Sequence, residues 1–188
     1  MQLDKAINER ASVRKFTSRK PNWRRIIDAI DAANKCPLAG NIPSLKFILV
    51  DDDNLINNLA EASQQQFIKQ AKYVVIVCND MKPVEGFYDK RAGRYAKQQA
   101  GAAIENFLLK ITDLGLASCW VGAFVDSQVK RILNIPEEIE VEAILPVGYE
   151  MKTGKKKTKQ KHKGDLDRVL YFNSWKNKYM VPERRVEA

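Results

Sequence analysis

The stretch QQAGAAIENFLLKITDLGLASCWVGAF, residues 98–124, carries a helix, its stop and a glycine-bearing loop in one run. Ala100, Ala103, Ile104, Phe107, Leu108 and Ile111 recur at i, i+3, i+4, i+7, i+8 and i+11, which predicts a helix with one apolar face. Gly115 predicts its end, because glycine takes the left-handed conformation that closes helices at little cost. The small residues Ala100 to Ala103 allow a second helix to approach closely, in a core or at a dimer interface. Beyond the stop, ASCWVGAF reads as a loop, and Asp126-Ser127 then opens a short helix through Val129, Ile132 and Leu133 that ends at Asn134-Ile135-Pro136.

Upstream, Trp23, Ile26, Ile27, Ile30 and Ala33 sit at helical spacing after Pro21-Asn22, and the helix is expected to stop before Cys36-Pro37. Residues 36–44, CPLAGNIPS, form a loop by composition and lead into a buried strand at Lys46–Val50. A helix around Leu55, Ile56 and Leu59 precedes the strand Tyr73–Cys78. Downstream, Val141, Ala143 and Leu145 alternate with Glu142 and Ile144 in a central strand closing at Gly148, and Val169–Phe172 is expected to add one more. Helices and strands mix without regular βαβ alternation, so the predicted class is α+β.

The chain has 188 residues, 45% of them hydrophobic, which suits one domain over residues 1–175 followed by a polar tail at 176–188. Its longest apolar stretch, Tyr73–Cys78, is far shorter than the roughly 18 residues a membrane span needs. The N-terminal MQLDKAINER lacks the apolar centre of a signal peptide, so a cytoplasmic location is expected. Cys36, Cys78 and Cys119 are odd in number and without a C-x-x-C pair, which suits small hydrophobic fillers in a reducing compartment. His162 is the single histidine and lies in the lysine run of residues 152–163. A Ser-His-Asp triad, a Cys-His pair or a multi-histidine metal site would have to be built on that one ring, so no metal and no protein nucleophile are expected. A bound organic cofactor is the remaining way to carry chemistry. The formal net charge of +9 is local: the seven lysines of residues 152–163 account for all but two charges, so the basicity belongs to one loop.

No G-x-G-x-x-G and no G-x-x-x-x-G-K-[ST] occurs, so any phosphate must be held by side chains. Arg10, Ser12 and Arg14, in ERASVRKF, project to one side of an extended segment and form a candidate phosphate clamp. The same spacing also describes a solvated face or an ion-pairing strand. The loop at 120–124 likewise reads either as a turn between helices or as a backbone close to a ligand.

Taken in order, ERASVRKF, AGNIPSLKF, QQAGAAIENFLLKITDLGLASCWVGAF, ILNIPEE and AILPVGYE resemble the nitroreductase family of FMN-dependent oxidoreductases over residues 2–175. The resemblance implies a central mixed sheet flanked by helices, a homodimer, and a C-terminal segment extending onto the partner protomer. It implies FMN as cofactor, NADH or NADPH as electron donor and a small-molecule acceptor, nitroaromatic or quinone, reduced in a ping-pong cycle. Arg10, Ser12 and Arg14 map onto the residues that grip the flavin's phosphate and ribityl chain, with Lys161 and Lys163 as the late basic residues. Gly122 and Ala123 map onto the loop whose backbone meets the isoalloxazine. Asn41 matches the asparagine of an Asn-x-Gln-Pro-Trp segment in which Pro43 here replaces glutamine and Leu45 tryptophan. Gln64 matches a polar residue that reaches the flavin in some relatives. Two other outcomes stay open: a flavin-binding relative with changed chemistry, dehalogenating or flavin-destroying, and a nucleic-acid binder acting through the lysine run with Tyr171, Phe172 and Trp175 as stacking residues.

Overall fold

Every residue from Tyr73 to Asn79 is buried, because this strand is covered on both faces. The computed structural model describes residues 2–152 and 166–178, and the chain divides into two units, residues 1–153 and 154–188. In the first, β1 (Leu45–Val50), β2 (Tyr73–Asp80), β3 (Ala117–Ser118) and β4 (Ile139–Gly148) form a sheet of order β1-β2-β4-β3 with every neighbour antiparallel. Tyr73, Val75 and Val77 pack with α2 (Trp23–Asn34) and α5 (Ala92–Asp113), while Val74, Ile76 and Cys78 pack with α3 (Asp53–Ala62) and α6 (Asp126–Leu133). The two-residue period of the strand thus builds two apolar cores, one on each face.

The expected alternation along β4 breaks at one point. Val77 pairs with Ala143 and Cys78 with Val141, so Glu142 is an extra residue, a bulge. Val141 therefore lies in the α3/α6 core and Ala143, two residues on, in the α2/α5 core. The expected mixed sheet is also corrected. Among the described residues a parallel direction enters only at an isolated bridge between Ser12 and Ser118, and the same N-terminal segment then bridges Glu150 antiparallel at Phe16.

Local signals explain the helices that frame the site. Asn22 caps α2, its Oδ1 accepting from Arg24 N at 3.0 Å. At the end of α5, Gly115 takes φ +65° while its N–H donates to Thr112 O and that of Leu116 to Ile111 O, a Schellman closure. Leu3–Glu9 and Lys82–Tyr88 form two further short helices, α1 and α4, which the apolar spacing did not announce.

In the second unit the expected strand at Val169–Phe172 is absent. Leu166–Val169 is a single helical turn, α7, closed by Leu170 N donating to Leu166 O at 3.0 Å. The chain then doubles back, with Phe172 N donating to Asn177 O and Asn177 Nδ2 to Phe172 O, both at 2.8 Å. Left-handed residues at Asn173 and Lys176 produce that reversal, and a four-residue apolar run has no period to separate strand from helix. The tail expected to reach a partner lies mostly outside the described residues, as do Lys161, Lys163 and most of the lysine run.

Candidate cofactor site

The clamp segment begins where α1 ends. Arg10 is the residue after the helix, and its Nε lies 3.2 Å from Glu105 Oε1 on α5. From there the chain is extended. Val13 N donates to Ser118 O at 3.0 Å, Thr17 N to Tyr149 O at 2.9 Å, and Met151 N to Lys15 O at 2.9 Å. Phe16, buried, is the anchor, and its N–H donates to Gln70 Oε1 at 3.2 Å. Ser12 and Arg14 are exposed although they share the parity of buried Phe16, so the segment does not keep one regular two-residue alternation from Ser12 to Phe16.

The Ser12–Ser118 bridge sets this segment beside the loop that follows β3. Cys119 reports the juxtaposition: burial pushes its thiol up, while the Arg14 charge and a hydrogen bond with Ser12 act in the opposite direction. Val121 then exchanges both backbone hydrogen bonds with Ile144, at 3.1 and 3.0 Å, and Val125 N donates to Ala62 O at 2.9 Å. Gly122 and Ala123, between these two anchors, are exposed. Trp120 covers Gly101 of α5, where a Cβ would stand 4.0 Å from its ring, and its Nε1 comes within 3.9 Å of a Cβ built at Gly122. Gln64 follows α3 in the left-handed conformation at φ +53°, exposed, two residues past the Ala62 carbonyl that holds the loop.

The bridge therefore sets Ser12 and Arg14 beside Cys119 at the start of the loop that carries Gly122 and Ala123, while Arg10 reaches α5 at Glu105 and Gln64 lies two residues past the carbonyl that anchors the loop's far end. Asn41 and Pro43, both exposed, belong to a different anchor. Asn41 ends a 3-10 turn, Ala39–Asn41, in which Gly40 and Asn41 are both left-handed at φ +59° and +56°. Ala39 N donates to Gln99 Oε1 at 3.1 Å, so this loop rides on α5 six residues, or roughly 9 Å of helix rise, from Glu105.

The apolar spacing overlooked the buried polar residues that fix this second anchor. Gln99 Nε2 donates to Ser44 Oγ, which donates to Asn79 Oδ1 at 2.6 Å, and Asn79 Nδ2 donates to Ala96 O at 3.1 Å and to Glu142 Oε1 at 3.2 Å. Ser44, Asn79 and Gln99 are all buried. The available signal was a glutamine inside the apolar stripe of α5. Such a group is retained inside only when its donors and acceptors are met.

Chemically, the first cluster offers guanidinium groups, a hydroxyl and exposed backbone, a set suited to an anion with a flat ring beyond it. Among the described residues no three of His, Cys, Asp or Glu gather to hold a metal, and no helix is long and apolar enough to cross a membrane.

The pattern of the Nitroreductase family matches residues 7–72 and 60–149. The chain is 31% identical over 150 residues to a putative NADH dehydrogenase/NAD(P)H nitroreductase of Archaeoglobus fulgidus, covering 77% of this chain and 83% of that one. It is 25% identical over 167 residues to an iodotyrosine deiodinase of Thermotoga neapolitana, covering 75% and 84%. Among solved structures, an FMN-dependent nitroreductase from Clostridium difficile superposes with a TM-score of 0.77 at 22% identity, over 90% of this chain and 98% of that one. The antiparallel sheet between two helical layers, the matched span from the clamp segment to Tyr149 and the identity to the archaeal protein lead to one conclusion: the chain belongs to the nitroreductase family.

Proposed function

We propose that the chain is an FMN-dependent oxidoreductase that takes hydride from NADH or NADPH and reduces nitroaromatic or quinone acceptors in a ping-pong cycle, as a homodimer in a reducing cytoplasm. The observation that carries this reading is the Ser12–Ser118 bridge, which lays Arg14 and Ser12 alongside the loop holding Gly122 and Ala123. The residues fit the cofactor. Arg10, Ser12 and Arg14 suit a phosphate that has no glycine-rich cradle, each charged hydrogen bond contributing about 1.5–3 kcal/mol. Gly122 has no side chain to keep a flat ring off the backbone, and in this reading the N–H groups of Gly122 and Ala123 meet electron-rich ring atoms. When bound, FMN supplies the two-electron redox chemistry of both half-reactions, so the protein needs no general acid or base for hydride transfer itself. Its work is to orient the ring, exclude competing reactions and receive two substrates in turn.

In the homodimer the Asn41 loop serves the partner's cofactor, which accounts for its separate anchor at Gln99. Pro43 brings no side-chain donor, so the polar contact of that loop falls to Asn41. The buried, free thiols of Cys36, Cys78 and Cys119 agree with a reducing compartment.

The test is a visible spectrum of the purified protein with added FMN, followed without oxygen by NADH and then NADPH. A bound flavin band that bleaches with either nicotinamide and returns with a quinone or nitroaromatic supports the reading. Failure to bind flavin, or bound flavin that neither nicotinamide reduces, removes it. The similarity to an iodotyrosine deiodinase favours a second reading, reductive dehalogenation at the same flavin. There a carbon–iodine bond is replaced by carbon–hydrogen, two electrons and a proton are consumed, and iodide leaves. Iodide release from iodotyrosine by the reduced protein, without turnover of nitroaromatics, would select it.

A further inference from the structure

The loop at residues 36–44 carries Asn41 between two fixed ends, and one buried carboxamide holds both. Gln99 of α5 accepts from Ala39 N at 3.1 Å through Oε1 and donates through Nε2 to Ser44 Oγ, while its backbone carbonyl receives the Cys36 thiol at 3.7 Å. The arc between Ala39 and Ser44 holds Gly40 and Asn41, left-handed at φ +59° and +56°, then buried Ile42 and exposed Pro43. Asparagine takes that backbone only at a cost, so the arc keeps its shape only if its ends do not give.

The hydrogen bonds around Gln99 admit one orientation. Ala39 N can only donate and Ala96 O can only accept, and these two backbone groups close the network at either end. Gln99 must therefore turn its carbonyl to Ala39 and its amide to Ser44. Asn79 must turn its amide to Ala96 O, at 3.1 Å, and its carbonyl to the Ser44 hydroxyl, which donates to it at 2.6 Å. The other hydrogen of the Asn79 amide goes to Glu142 Oε1 at 3.2 Å. Ser44 is held a second time, its own carbonyl accepting from Asp80 N at 2.8 Å. Apolar side chains of the same shape would fill this space at little loss of stability, so what buried Ser44, Asn79 and Gln99 contribute is one loop geometry in place of several.

We propose that Gln99 is a positioning residue for the cofactor: without touching it, the carboxamide aims Asn41 at the flavin of the partner protomer. This role rests on the oxidoreductase reading and its homodimer.

The test is a double-mutant cycle of Gln99→Met with Asn41→Gly, read as FMN affinity by flavin fluorescence and, in parallel, as melting temperature. Methionine keeps the length of glutamine but neither accepts from Ala39 nor donates to Ser44. Glycine removes the Asn41 side chain and keeps the left-handed backbone free of cost. Each single variant should bind FMN about threefold to tenfold more weakly, the worth of one neutral hydrogen bond, and the double variant no more weakly than either. A merely structural part for Gln99 would lower the melting temperature alike in both backgrounds and could not make its effect on FMN vanish with Asn41. Ser44→Ala, which removes only the hydroxyl that Gln99 and Asn79 share, runs the same cycle if Gln99→Met does not fold. FMN affinity unchanged by the Gln99 or Ser44 substitution, or a loss that persists in the Asn41→Gly background, overturns the positioning role and leaves the oxidoreductase reading standing. An unaltered protein that binds no FMN removes that reading and this inference with it.

Discussion

At the scale of single residues, the two arginines of the clamp differ in what surrounds them. Arg10 is half-buried beside Glu105, whereas Arg14 is exposed next to Cys119 and Ser12. Arg14→Ala is expected to weaken FMN binding about ten- to a hundredfold, the equivalent of one charged hydrogen bond, with the far-ultraviolet circular dichroism unchanged. Flavin fluorescence during titration reads the affinity directly. An affinity equal to that of the unaltered protein would take Arg14 out of the clamp. Ser118 offers an independent check. Its Oγ is buried at the bridge to Ser12 without a hydrogen-bond partner among the described residues, and an unmet buried hydroxyl costs stability. Ser118→Ala should therefore leave the melting temperature unchanged or raise it by the equivalent of about 1 kcal/mol; a loss of that size would mean that the hydroxyl has a partner. Sequence singled out Arg10, Ser12 and Arg14 as candidates by their two-residue spacing near the start of the chain. It hid Gln99, whose worth depends on Ala39, Ser44 and Asn79, residues 20 to 60 positions away that only the tertiary fold brings near.

Elements show a similar division. The helix through Phe107 and its stop at Gly115 were readable because apolar period and left-handed cap agree. Helices α1 and α4 were not, since each is seven residues with a single buried side chain, too short to repeat a period. The strand expected at Val169–Phe172 failed for the same reason. The clamp segment holds its line through Phe16, whose ring packs against Gly148 at the end of β4. A Cβ at Gly148 would stand 2.9 Å from Phe16 Cδ1 and 3.2 Å from Cγ. Gly148→Ala should thus push Phe16 from its seat and cost about 1–3 kcal/mol in urea unfolding, as overpacking does. It should also loosen FMN through the displaced Arg14, although Gly148 itself lies behind the clamp. Stability lost with flavin affinity intact would uncouple the segment from the site.

For the whole molecule, the three buried thiols give a pH signature. Burial raises all of them, and Cys78 is pushed from an ordinary 9.0 to about 11, with the Glu142 carboxylate adding to burial and Lys130 opposing. The unfolded chain releases these protons near pH 9 and the folded protein holds them, so their contribution is complete below about pH 9 and is lost as pH rises toward 11. Unfolding free energy should fall by up to about 3 kcal/mol over that interval, and Cys78→Ala should flatten the decline. An equal slope in the variant would place the titrating group elsewhere. Assembly is tested at the same scale: sedimentation at micromolar concentration should give twice the mass of the chain, and a monomer that still turns over would deny the Asn41 loop its role on the partner's cofactor.

The bulge at Glu142 carries a different kind of consequence. Upstream of it β4 counts its inward side chains in one phase, and downstream in the other. Straightening the strand while keeping that residue would be a frame error written in space: Val141 and Ala143 would compete for the same side of the sheet, and the two halves of the strand would disagree about which way is in. Sequences of the same length and polarity are therefore not interchangeable here. What is inherited at this position is a parity, held by one carboxylate and the asparagine that answers it.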